Sequence, residues 1–366
     1  MPVRYIDVTS VTNVFKPVIR SFGDIAIVGD TDGDAQGPIK TPVAVTNPND
    51  VDGNPVDSQD LFQGDLGNAV RQAFEQTPGP AKVWAVRTDA ADGDNALSEA
   101  LKEVANLNVQ LVVLANTPLA ASGDQSKIQA LASHVDTVSN TGGDGKERIG
   151  IAMLGKGVTD TSLITGEMSS DRMVMVAHKS DDDAAAAVAG TISGYEPHIS
   201  LLLKRVSISM DGQFSDAEID GLNTARVNWL TDPALLPGQG IFMGESYTLG
   251  ADMPYIDIPR VIDDISFRLK ASLIRSIGNL RVSRSGLRAL VSQMTAILEP
   301  LRQNEVIESY DVFLPLLVLL DKDPSSLTEA EKQQINNAQN NRAVDAIASV
   351  DYAGAIHRLN ITLKFE

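Results

Sequence analysis

Cysteine is absent from this chain of 366 residues, which removes disulfide staples, thiolate nucleophiles and the usual structural zinc sites together. Histidine is scarce: His134, His178, His198 and His357 are scattered, so a histidine-rich metal site is not expected, and a lone histidine reads as a satisfied structural residue. No apolar stretch approaches the roughly 20 residues needed to cross a bilayer. Met1-Pro2-Val3-Arg4-Tyr5 lacks a basic region followed by an apolar core, so no secretory signal is visible and the protein is expected to be made and assembled in the cytoplasm. Positive charge is in deficit, 30 Lys and Arg against 48 Asp and Glu, for a net charge of −18. Phosphate binding rests on Lys and Arg, so nucleic acid and anionic membranes are excluded as expected partners. Aspartate dominates the acidic side, which fits either a protein from a saline environment or an ordinary acidic surface.

Glycine motifs are missing too. No GxGxxG follows the first apolar strand, Gly155-Lys156-Gly157 lacks the GxxxxGK[ST] frame and reads as a turn, and there is no GxSxG elbow. Ser207, Ser209 and Asp211 lie close together without a nearby histidine. No catalytic, cofactor-binding or metal-binding residue is therefore assigned.

What is present is a folded α/β chain long enough for two or three domains, with 43% hydrophobic residues. Apolar strands are expected at 24–29, 82–87, 109–115, 148–154 and 173–177, with helices at 66–75, 96–106 and 127–139 between them. Near-continuous apolar strands separated by helices imply a parallel sheet covered on both faces. A ligand crevice at the strand ends, at the 109–118 or 149–157 turn, is the enzyme or nucleotide-binding alternative. Residues 30–60 read as an acidic surface loop. Asp30, Asp32 and Asp34 begin a calcium-loop pattern, but Ala35 stands where glycine should follow and Thr41 where the bidentate glutamate should be. Asp181, Asp182 and Asp183 precede a small-residue helix as caps. A helix over 216–229 carries Ile219, Leu222, Val227 and Leu230.

Both ends alternate with period two. Val3, Tyr5, Ile6 and Val8 mark one strand, and Leu359, Ile361, Leu363 and Phe365 one face of another over 356–366. Such strands either close a sheet within their own molecule or lend themselves to another's edge. Helices are expected over 260–277 and 285–304. A basic island interrupts the acidic chain: Arg260, Arg268, Lys270, Arg275, Arg281, Arg284 and Arg288 face only Asp263 and Asp264. It contacts an acidic partner or satisfies the protein's own carboxylates.

Several segments resemble contractile tail sheath proteins. Asp171-Arg172-Met173-Val174-Met175-Val176, then Ala187-Val188-Ala189-Gly190 and Pro197-His198, is similar to that family's strand, Ala-Gly helix and proline element. Phe242-Met243-Gly244-Glu245-Ser246-Tyr247-Thr248 and Tyr255-Ile256-Asp257-Ile258-Pro259-Arg260 follow in the family's order, as do Tyr310-Asp311-Val312 and Leu359-Asn360-Ile361-Thr362-Leu363. The resemblance covers about half the chain, from Asp171 onward. It departs at Gly244-Glu245-Ser246, where the family has a Gly-Ala-Arg signature. It implies an N-terminal arm (1–20), an outer α/β body (21–250) and an inner α+β C-terminal domain (251–366) ending in a strand arm. It further implies a structural protein rather than an enzyme, without cofactor, that stacks as six-membered rings into a helical sheath of a virion or injection system. The implied partners are further copies of itself, an inner tube protein, and baseplate and tail terminator proteins.

Overall fold

The computed structural model describes residues 22–32, 35, 37–52, 62–141 and 145–357. The first strand, β1 (Ile25–Gly29), is buried along its whole length. It is followed by β2 (Val43–Val45), α1 (Asp65–Phe74), β3 (Val83–Arg87), α2 (Ala96–Val104), β4 (Leu111–Leu119), α3 (Gln125–Ser139), β5 (Ile149–Leu154) and β6 (Met173–Ala177). The chain continues through α4 (Ala184–Ser193), β7 (Arg205–Val206), α5 (Asp216–Thr224), β8 (Asn228–Thr231), β9 (Ile241–Met243) and α6 (Asp257–Leu273). Then come α7 (Arg284–Gln303), β10 (Ile307–Phe313), α8 (Pro315–Asp321), α9 (Glu329–Asn341) and β11 (Ile347–Tyr352).

Two compact units divide the described residues: 22–264 with 353–357, and 265–352. The first is built on a nine-stranded mixed sheet in the order β2-β3-β1-β4-β5-β6-β8-β9-β7. Strands β3, β1, β4, β5, β6 and β8 run parallel, and β2, β9 and β7 close the edges antiparallel. Alternation along β1 shows why parallel strands need cover on both faces. Ile25 and Ile27 join α1 and α4 in one apolar layer, while Ala26 and Val28 join α2, α3 and α5 in the other. All ten residues of α4 are buried, and its small side chains let α1 approach. A Cβ on Gly190 would stand 2.3 Å from the Ala73 carbonyl oxygen. Asp183 caps this helix, accepting from Ala186 N–H at 2.8 Å, as the acidic run before it suggests.

Two sequence expectations are corrected. The helix expected over 216–229 stops at Thr224, because Arg226 adopts a left-handed conformation (φ 57°) and Val227 N–H turns back to the Leu222 carbonyl. The following Asn-Trp-Leu-Thr, rich in strand formers, becomes β8 beside β6. The surface loop expected over 30–60 contains β2, an antiparallel edge strand hidden in the sequence by its Pro and Asn surroundings.

In the second unit Leu287, Leu314 and Leu316 are buried together, with α7, α8 and α9 contributing partly exposed neighbours, and Met294, Leu298, Leu301, Val306 and Ile307 are buried as well. β10 and β11 form an antiparallel pair in which Val312 lies opposite Ala348 and Tyr310 opposite Val350.

Candidate assembly surfaces and the strand-end crevice

Parallel α/β sheets bind ligands where the strand order reverses. Here that point lies between β1 and β4, and a cavity of about 350 Å³ sits there, lined by Asp30, Asp65, Thr88, Asp94, Asn116 and Lys127 among others. Its chemistry is acidic. Asn116, left-handed at φ 40°, donates its backbone N–H to Asp183 at 2.7 Å and its side-chain amide to Asp65 at 2.9 Å. Burial pushes the Asp183 carboxyl up, against the backbone N–H bonds that hold it down. A nucleotide phosphate placed here would meet the Asp30, Asp65 and Asp94 carboxylates against the single Lys127, and the Asn116 backbone N–H is already given to Asp183. Among the described residues no three acidic or histidine side chains converge as a metal site, Asp30 and Asp32 included; Asp34 lies outside the described residues.

The other catalytic candidates are occupied structurally. Lys156 pairs with Asp181 at 2.6 Å and with Asp211, which ties the glycine turn to two loops. Ser207 N–H donates to Gln76 at 2.7 Å, and Ser209 donates to Asp182 at 3.2 Å. His178 accepts from Ser180 N–H on Nδ1, so its Nε2–H donates to the Leu154 carbonyl at 3.0 Å, and burial holds the ring neutral. His198 stands 3.6 Å from Glu196.

One cluster escaped the sequence reading. His357 places Nε2 2.9 Å from Ser200 Oγ and Nδ1 3.0 Å from Glu245 Oε2, with the histidine and glutamate side chains 9% and 8% exposed. The Tyr255 ring lies 4.5 Å from the imidazole and stacks on Tyr247 at 5.4 Å. Ser200 and His357 are 157 residues apart, so no local motif links them. The one sequence signal is the departure at Gly244-Glu245-Ser246, which supplies the glutamate.

In the 265–352 unit charge is segregated. Residues 265–298 hold six basic and no acidic side chains, whereas 299–352 hold ten acidic and four basic. The β10–β11 pair has no third strand on either edge among the described residues, and its outward face carries Phe313 and Ile347 as an exposed cross-strand pair.

No family model matches the sequence, and no curated protein matches it. Solved structures do. A chain of the anti-feeding prophage baseplate, six-fold symmetrised, matches with a TM-score of 0.68 at 13% identity, over 100% of this chain and 99% of that one. The anti-feeding prophage helical sheath in the contracted state matches at 0.65 and 16% identity, over 98% and 99% of the two chains. The crystal structure of a sheath tail protein from Desulfitobacterium hafniense matches at 0.59 and 10% identity, covering 85% of this chain and 92% of that one.

This chain has the contractile-sheath fold.

On that fold the residues singled out in the sequence separate into three groups. Val3, Tyr5, Ile6, Val8, Leu359, Ile361, Leu363 and Phe365 lie outside the described residues. Arg260 leaves the basic island: it is 6% exposed and donates to the Ile192 and Tyr195 carbonyls at 3.2 and 2.7 Å, closing the C-terminal end of α4. Of the rest, Arg284 and Arg288 both reach Asp321, at 2.9 and 3.1 Å, while Arg268 and Lys270 lie on α6 and Arg275 and Arg281 are exposed beside the α6–α7 turn. Ile274 and Ile277 are 67% and 77% exposed at the same turn.

Proposed function

We propose that this chain is the structural subunit of a contractile sheath, stacking as six-membered rings around an inner tube and contracting to drive that tube through a cell envelope. The observation that carries the reading is the end-to-end match to two sheath structures in the contracted state, over 98–100% of this chain and 98–99% of those chains. The second unit supports it physically. The edges of its β10–β11 pair are open among the described residues, and Phe313, Val318 and Ile347 stay exposed, so neighbouring copies have surface to cover.

In this reading the strands at the two ends of the sequence are lent to neighbouring copies, and the inner domain presents Arg275 and Arg281 to the tube or to an adjacent subunit. Baseplate and terminator proteins cap the stack. The assembly belongs to a virion tail or an injection system put together in the cytoplasm of its host. Contraction exchanges one set of interfaces for another, so the energy resides in the assembly and no nucleotide is consumed.

Deleting 358–366 tests the reading. The expected product is a folded monomer with the parent's melting behaviour that forms no sleeves in sedimentation or negative-stain images. Loss of native melting would place those residues in the subunit's own sheet instead.

A further inference from the structure

The Ser200–His357–Glu245 cluster has the order of a hydrolytic relay, but its surroundings do not suit one. A nucleophile needs converging donors around a site about 3 Å away for the developing oxyanion. The Leu202 N–H that faces Ser200 Oγ is spent on Oγ itself, at 3.2 Å. What the cluster does is hold a chain segment. Among the described residues the last regular element ends at Tyr352, residues 353–357 have no regular structure, and Ile356 is 82% exposed, yet His357 is seated against Ser200, Glu245 and Tyr255 of the 22–264 body, with Tyr247 stacked on Tyr255.

We propose that Ser200, Glu245, Tyr247 and Tyr255 form a socket for His357 that fixes where the C-terminal strand arm begins. His357 is thus a positioning residue for strand exchange between copies, an inference that rests on the arm reading above. Leu359, the first residue of the apolar face that the sequence pattern expects of that strand, lies two residues beyond the socket in sequence but seven beyond Tyr352. At about 3.4 Å per residue, seating His357 shortens the free tether from roughly 24 Å to roughly 7 Å. Effective concentration falls with about the three-halves power of tether length, so the seated arm meets an adjacent edge about six to seven times more often. The socket is specific to a flat ring with two polar nitrogens: Glu245 accepts from Nδ1–H, Ser200 meets Nε2, and Tyr255 covers the face.

The test compares the full chain with His357→Ala, Ser200→Ala and the 358–366 deletion. His357→Ala is expected to slow sleeve assembly about five- to tenfold at fixed subunit concentration without loss of native melting. Trypsin is expected to cut after Arg358 faster in the variant than in the parent, read by mass spectrometry on unassembled protein, and Ser200→Ala is expected to shift both readouts in the same direction. Equal cleavage and equal assembly rates in parent and variants, with the deletion still unable to assemble, would overturn the socket and leave the arm reading intact. A deletion that assembles normally would overturn the arm reading and the inference with it. Hydrolysis of p-nitrophenyl acetate that disappears in Ser200→Ala would overturn the socket in favour of a catalytic relay. Should His357→Ala fail to melt cooperatively, Ser200→Ala alone decides by the same two readouts.

Discussion

At the scale of residues, buried charge is used here to lock helices. Arg172, beside β6, makes a two-pronged bridge to Asp263 on α6 at 2.6 and 2.8 Å, with both side chains 15% exposed or less. Burial lowers the arginine's pKa, but the Asp263 bond and charge outweigh it and hold it above its ordinary value. Removing one partner leaves the other charge buried, which costs about 3–5 kcal/mol. Asp263→Ala is expected to lower the urea midpoint of the body accordingly, and a double variant, Arg172→Met with Asp263→Leu, to lower it by less than the single one. An additive double variant would show that the two side chains do not act as a pair. Arg260 teaches the complementary lesson about what a sequence shows. Its charge placed it in the basic island, but only the fold reveals that it closes the end of α4, because charge is written in the sequence and burial is not.

Among elements, legibility followed burial symmetry. β1, β3, β4, β5 and β6 were readable as apolar runs because each is buried on both faces, and the Asp183 cap because its chemistry is local. Asn228 and Trp229 of β8 read as the end of a helix because nothing in the pattern marks the left-handed turn at Arg226, and β2 is too short to alternate. The boundary between Asp264 and Ile265 falls inside α6, so no turn or loop marks it, although the charge changes from acidic to basic there. Two element-level outcomes are expected. Gly190→Ala forces α1 and α4 apart and should destabilise the body by about 1–3 kcal/mol in chemical unfolding. Phe313→Ser with Ile347→Ser, on the outward face of the β10–β11 pair, should change unit stability by no more than about 1 kcal/mol, as exposed sites do. The sleeve yield should nevertheless fall. An unchanged yield would remove that face from the lattice.

For the whole molecule, acid should act on the two units in different ranges. In the body, burial and the neighbouring Arg148 hold His134 down to about 4, and burial also lowers His178. The unfolded chain takes up these protons near pH 6.5 while the folded body refuses them, so body stability falls as pH drops from 6.5 towards 4, by about 3 kcal/mol for His134. In the 265–352 unit, Arg302, Tyr310 and Gln303 hold Glu299 at about 2, and Lys322 and Thr328 hold Glu331 there. Those contributions are complete above about pH 4.5 and are lost between 4.5 and 2. Calorimetry at pH 7, 5 and 3 should therefore show the body transition moving first. The net charge of −18 adds a repulsion between copies that salt screens, so assembly should rise with ionic strength. The most direct test of the account is cryo-electron microscopy of the purified full chain across concentration and salt. The account predicts hollow helical sleeves built from stacked six-membered rings. A small closed oligomer at every concentration, with melting raised by added nucleotide, would contradict it.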